Sequence, residues 1–183
     1  VAGWLALAIG VANASGWLGG LDVFIQFLPG LPKMVPATAL LVLLCAASLL
    51  LQSTRSGRHG AGPAFGLAAA AIAGIMALAH LLQLPQGPFL ATAVGQQNAV
   101  SLSSLPTAAM FLGLGLALGL MASGRGIVPA QSAAMAVALV SLLNGASYFF
   151  RDTFLYQLLP GQGVAIPTTA ASAALALGAL FLR

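Results

Sequence analysis

Three side chains that join an aromatic body to a hydrogen-bonding tip stand near the ends of successive apolar runs: Trp17, His80 and Tyr148. Asn13 precedes Trp17 by four residues and Asn144 precedes Tyr148 by four, so each pair shares a helical face. Asp22 and Asp152 follow five and four residues later. A carboxamide inside an apolar run requires a hydrogen-bonding partner or a wet cavity. Arranged about a common axis, Trp17, His80 and Tyr148 would form an amphipathic ring at one depth, flanked by Asn13, Asn144, Asp22 and Asp152. These seven are the candidate ligand-binding residues. The same residue types have a plainer reading beside it: Trp and Tyr gather at membrane interfaces, the carboxamides serve as glue between helices, and the two acids sit solvated at the boundary.

Covalent and metal chemistry find little to work with. A metal centre needs convergent His, Cys or carboxylate ligands, whereas the chain has one cysteine, Cys45, and two histidines. His59 and His80 are 21 residues apart, roughly 32 Å along a helix, too far to share a haem. A single cysteine forms no intrachain disulfide, no lysine lies inside an apolar run to carry a retinal Schiff base, and no serine stands in a recognisable motif with a base. The residues argue against an enzyme and imply no cofactor.

The elements that must position these side chains are set by composition. With 60% hydrophobic residues, 4% charged and a mean hydropathy of +1.04, the chain is far from the roughly 25% charged residues of a soluble domain. A helix crosses the hydrocarbon with about 20 apolar residues, and the windows that qualify are about 3–21, 36–53, 62–83, 106–123, 130–149 and 167–182. They show no sustained period of two and are too long for barrel strands. The expected fold is all-α, a polytopic membrane protein of six transmembrane helices in one domain, residues 1–183. The first run lacks a preceding basic residue and is broken by Asn13 and Gly19-Gly20, so it reads as a lasting span and not a cleaved signal. Starting at Val1 and stopping at Arg183 directly after an apolar run, the chain reads as an excised region.

The six runs fall into three units. Val35-Pro36-Ala37-Thr38-Ala39, Leu105-Pro106-Thr107-Ala108-Ala109 and Ile166-Pro167-Thr168-Thr169-Ala170 each open an apolar run. Proline suits the first helical turn, where its missing N–H has no partner to lose. A second apolar run precedes each, so the unit is a helical hairpin repeated over approximately 1–55, 60–124 and 128–183. Positions three, seven and eleven after each proline are mostly small: Ala39, Leu43, Ala47; Ala109, Gly113, Ala117; Ala170, Ala174, Gly178. Small residues four apart let helices approach closely in lipid, and this face is expected to join the even helices at the centre. Gly66, Ala70 and Gly74 form a further stripe and Gly115 and Gly119 a GxxxG, suited to packing within the bundle or to a homodimer.

Arg55, Arg58, Arg125 and Arg183 fall in segments on one side of such a topology, while Lys33 and Arg151 are offset by Asp22 and Asp152 on the other. The positive-inside rule then places both termini in the cytoplasm. Although the net charge is +4, the basic residues form no stripe or patch, which excludes nucleic acid as a partner. The middle outer connection, from about Leu84 to Leu105, is long and polar, with Gln96, Gln97, Asn98 and several serines. It reads equally as a lid over the outer mouth or as a plain connector.

The runs at Met34–Leu44, Ser104–Leu118 and Gly163–Ala170, with Leu142-Leu143-Asn144-Gly145 ahead of Tyr148, resemble the amino-terminal six-helix membrane regions that precede PAS, histidine-kinase or diguanylate-cyclase modules in bacteria. The middle copy departs from their pattern, with Ala108 where the other two have threonine. The resemblance implies a sensory input domain of the bacterial inner membrane, a cytoplasmic signalling partner fed by the last helix, and dimerisation through that partner. The bilayer is then its solvent, and a small apolar or amphipathic molecule its candidate ligand. Two other classes stay open on the residues: a small-solute transporter or substrate-capture subunit, and a structural accessory subunit of a membrane complex.

Overall fold

A computed structural model describes residues 1–25, 32–54, 60–84, 103–121, 126–150 and 164–182, with the side chains of Asp22, Phe149 and Phe150 left aside. Among the described residues there are seven helices and no strand: α1 (Ala2–Gly19), α2 (Asp22–Ile25), α3 (Pro36–Gln52), α4 (Ala61–Leu81), α5 (Leu105–Met121), α6 (Ile127–Phe150) and α7 (Ile166–Leu180). Six of them fill the six apolar windows. The single turn α2 was not foreseen by the sequence; it folds back onto α1 because Gly16 has no side chain. A Cβ there would lie 2.8 Å from Cβ of Phe24. Gly20, at φ +66°, supplies the left-handed residue that ends α1 and turns the chain.

Proline sets the start of each inner helix. Pro36 opens α3 directly after Val35, at φ −78°, ψ 156°, whereas Pro167 is the second residue of α7, which begins at Ile166 after Ala165 at φ −63°, ψ 146°. A residue ahead of proline is pushed toward extended backbone by the ring, which accounts for Val35 and stops α3 from running further back. The chain therefore approaches both helices extended, turning helical at Pro36 in α3 and one residue before Pro167 in α7. Pro106 holds the second position of α5.

The helices form a trefoil. Inner helices α3, α5 and α7 touch one another, and each outer helix is wedged between two of them: α1 between α3 and α7, α4 between α5 and α3, α6 between α7 and α5. Among the described residues no contact joins one outer helix to another. The inner helices are parallel. Thr38 at the start of α3 bonds Ser103 just ahead of α5 at 2.7 Å, and Gln52 at the end of α3 bonds the carbonyl of Leu118 near the end of α5 at 2.8 Å. A Cβ on Gly178, late in α7, would meet Leu49 of α3 and Ala2 of α1. All three prolines thus share one end of the bundle, and the outset of α1 meets the close of α7 at the other.

Burial is not confined to the face expected at the centre. Positions one, two, five, nine and twelve after proline are buried in all three copies: Ala37, Thr107, Thr168; Thr38, Ala108, Thr169; Leu41, Phe111, Ser172; Cys45, Gly115, Ala176; Ser48, Leu118, Ala179. Of the residues at three, seven and eleven, Ala39, Ala117 and Ala174 are buried and Ala109 and Ala170 exposed, while Leu43 lies against Gly10 of α1, Gly113 against Val137 of α6 and Gly178 against Leu49 of α3. Small residues matter most between α4 and α5, where Gly66 and Ala70 meet Gly115 and Gly119. A Cβ on Gly115 would stand 2.5 Å from the amide nitrogen of Ala70 and 2.7 Å from the carbonyl oxygen of Gly66. The stripe and the GxxxG are consumed by packing inside the chain.

The expectation of six spans is met by length and apolarity in two helices. Ala61–Leu81 and Ile127–Tyr148 are long and apolar enough to cross a membrane, with 28% and 22% of their apolar windows buried. The inner helices have 17, 17 and 15 residues, about 22–26 Å at 1.5 Å per residue against a core of roughly 30 Å. Each begins at its proline or one residue before it.

Candidate functional site

The three aromatic tips share one kind of partner. Trp17, at the end of α1, donates its indole Nε1–H to the carbonyl oxygen of Met34 at 2.8 Å. His80, at the end of α4, places Nε2 2.6 Å from the carbonyl oxygen of Ser103; a carbonyl only accepts, so Nε2 carries the proton. Tyr148, in the last turns of α6, donates its hydroxyl to the carbonyl of Val164. Met34 lies two residues ahead of Pro36, Ser103 three ahead of Pro106 and Val164 three ahead of Pro167. Each outer helix therefore latches onto the non-helical backbone that leads into its own inner helix.

The physical need is plain. Met34, Ser103 and Val164 are at most 5% exposed, and their carbonyls lie ahead of the helices that follow, outside the intrahelical ladder. A buried carbonyl without a donor costs about 1–3 kcal/mol, and each latch supplies one. In the first unit the segment is tied twice more: the Met34 amide donates to the carbonyl of Ile25 at 3.1 Å, and Asn13 Nδ2 donates to the carbonyl of Phe24 at 3.1 Å. Ser103 is a node between units, its carbonyl taken by His80 and its hydroxyl by Thr38.

The candidate residues are thus placed as follows. Trp17, His80 and Tyr148 all engage the proline end of the bundle, each facing its own hairpin partner, on three outer helices that do not touch one another among the described residues. Asn13 is buried, its Oδ1 without a partner among the described residues, and it joins α1 to α2. Asn144 is half-buried on α6, and its backbone carbonyl accepts the Ser147 hydroxyl at 2.7 Å. Asp22 opens α2. Asp152, the arginines at 55, 58, 125 and 183, and most of the long middle connection lie outside the described residues.

Sequence reasoning did not single out the buried hydroxyls. Ser48 donates to the carbonyl of Gly62 at 2.7 Å and accepts from Gln52 Nε2 at 3.0 Å, while the same Nε2 reaches Leu118. This knot joins α3, α4 and α5 at the end away from the prolines, and leaves Gln52 Oε1 without a partner among the described residues. Ser141 of α6 and Ser172 of α7 pair at 2.8 Å, both buried. The signal available was the rarity of a polar residue inside an apolar run, the same signal that drew attention to Asn13.

Compared with known proteins, the chain matches no family model, no curated protein and no solved structure.

Proposed function

We propose that the chain is a membrane-embedded sensory input bundle of six lipid-crossing helices, which relays a signal through α7 to a cytoplasmic output module. The membrane part of this reading is supported by the outward faces. Trp4, Leu5, Val11 and Leu18 on α1, Leu67, Ile75 and Leu78 on α4, and Met135, Leu139 and Leu142 on α6 are all exposed, and water would not tolerate an apolar belt on every side. The short inner helices fit a bilayer when their non-helical lead-in is enclosed by protein and its carbonyls are satisfied, which is what the three latches accomplish. The basic segments favour both ends of the bundle on the cytoplasmic side, and the bacterial inner membrane is proposed from the sequence resemblance alone.

The observation that carries the relay is the position of α7. The last helix is an inner one, in contact with α1, α3, α5 and α6, so a shift in any unit alters its surroundings. Packed helices change by small rigid displacements, and a short helix held at both ends transmits them along its axis. A small apolar or amphipathic molecule that loosens a latch at the proline end would act in this way.

The test is a fusion of this bundle to a diguanylate cyclase or histidine kinase, assayed in membranes with Trp17, His80 and Tyr148 changed singly to alanine. The reading expects output to change by several-fold in at least one variant. Output identical to wild type in all three would remove the latches from signalling. Reporter fusions after residues 57 and 163 should report opposite sides of the membrane, and the same side for both would overturn the topology.

A further inference from the structure

The buried polar bonds of the bundle are shared unequally among its three units. At the proline end the hydroxyl of Thr38 in α3 meets that of Ser103, ahead of α5, at 2.7 Å. At the far end Ser48 of α3 donates to the carbonyl of Gly62 in α4 at 2.7 Å, and Gln52 of α3 to that of Leu118 in α5 at 2.8 Å. These three bonds all join the first unit to the second. In the third unit Ser141, Ser147, Thr169 and Ser172 are buried, and they bond within their own hairpin: Ser141 to Ser172 at 2.8 Å, Ser147 to the carbonyl of Asn144, Thr169 to that of Ala165, and Ser172 also to that of Thr169. Of these four hydroxyls Ser141 alone reaches another unit, standing 4.0 Å from the sulfur of Met110, a weak acceptor.

Side-chain size follows the same division. At the positions buried in every copy α7 presents Thr168, Thr169, Ser172, Ala176 and Ala179, none larger than threonine, where α3 has Leu41 and α5 has Phe111 and Leu118. Ridges this low interlock shallowly with the grooves of a neighbouring helix. Where the third unit meets the others, a Cβ on Gly178 or on Gly113 would first meet a side-chain methyl, of Leu49 and of Val137, whereas inside the second unit a Cβ on Gly115 would first meet the backbone of Ala70. We propose that the bundle consists of a fixed body, α1, α3, α4 and α5, and one moving hairpin, in which α6 and α7 shift together against that body. The three bonds hold the body across its internal seam. The Ser141–Ser172 pair carries α6 along with α7, and sliding costs the four hydroxyls no more than the contact of Ser141 with sulfur. Packed helices move by small shear displacements of this kind. That the shift of α7 is passed on as a signal rests on the function proposed above; the division into body and hairpin does not.

Amide hydrogen exchange of the full chain in phosphatidylcholine nanodiscs, read by mass spectrometry, tests the division, because the less firmly tied unit opens first and as a whole. Helices of one kind are compared: α7 with α3 and α5, all inner, and α6 with α4, both outer. The expected result is that α6 and α7 exchange together and about tenfold faster than their counterparts. Thr38→Val combined with Ser48→Ala cuts two of the ties, and should raise exchange in α3, α4 and α5 until the gap is about twofold or less. Circular dichroism establishes that the variant is folded, and Thr38→Val alone serves if the pair is not. Equal exchange in the matched helices, fastest exchange in α3 or α4, unlike rates for α6 and α7, or a gap unchanged in the folded variant each overturns the proposal and leaves the sensory reading to its own fusion assay. A fusion indifferent to all three latch variants, with the exchange gap present, removes the latches from signalling and leaves the moving hairpin standing.

Discussion

Gly115 lies against the backbone of Ala70 so closely that a single added methyl would stand 2.5 Å from its amide nitrogen. Neither neighbour is a flexible side-chain tip, so the helices themselves must part. We expect Gly115→Ala to destabilise the bundle by at least about 3 kcal/mol, the upper range for overpacking, even though alanine is the better helix former by about 1 kcal/mol. Gly74→Ala is the control. Its nearest neighbour, Leu112, is 3.7 Å away, so it should be neutral or stabilising by up to about 1 kcal/mol. Unfolding in mixed micelles by added dodecyl sulfate measures both.

The latches should act as three separate devices. Trp17→Phe and Tyr148→Phe each remove a donor and leave a buried carbonyl unpaired, at a cost of about 1–2 kcal/mol. Because each bond lies within its own hairpin, the double variant should show the sum of the two costs to within about 0.5 kcal/mol. A large coupling between them, measured by the same unfolding assay, would contradict independent latches.

Ser141 and Ser172 are buried and bonded to each other across α6 and α7. A double-mutant cycle with both alanines should give a coupling of about 0.5–2 kcal/mol. The double variant should be less harmed than the singles suggest, since each single leaves one hydroxyl deprived of its main partner. Ser172 retains a weaker outlet to the Thr169 carbonyl at 3.1 Å, so Ser141→Ala should be the milder of the two.

The parallel arrangement of α3 and α5 is open to cross-linking. With Cys45 replaced by alanine, Thr38→Cys and Ser103→Cys should form a disulfide under mild oxidation in membranes, because the native oxygens are 2.7 Å apart. Thr38→Cys paired with Met121→Cys, at the opposite end of α5, should not. Mobility on a non-reducing gel distinguishes them, and the reverse pattern would refute the common proline end.

How far the sequence carried can be judged from particular residues. Pro36, Pro106 and Pro167 located three helix starts because proline's chemistry is local and independent of the rest of the fold. The all-helical architecture was equally legible from the apolar runs. The inner face was not. Alanine and glycine four apart mark where backbones come close, which happens against outer helices, as at Gly113 beside Val137, and between inner ones, as at Gly178 beside Leu49, while the large buried side chains Leu41, Phe111, Leu114 and Leu175 follow no such spacing. Trp17, His80 and Tyr148 stood out as matching positions, but their partners are backbone carbonyls, and a carbonyl leaves no mark in the sequence. Nor did Asp22-Val23-Phe24-Ile25 announce a helix, since its one turn depends on the missing side chain at Gly16.

The meeting of Ala2 with Gly178 has a consequence for how the chain is strung. The helices form a closed circuit in which each hairpin has another on either side, so packing gives no unit precedence over the others. A short linker from Leu182 to Val1, combined with a new opening between Thr54 and Gly60, would yield a circular permutant with the same neighbours throughout. By the same logic, hairpins severed from one another retain every contact they need to reassemble around a shared axis.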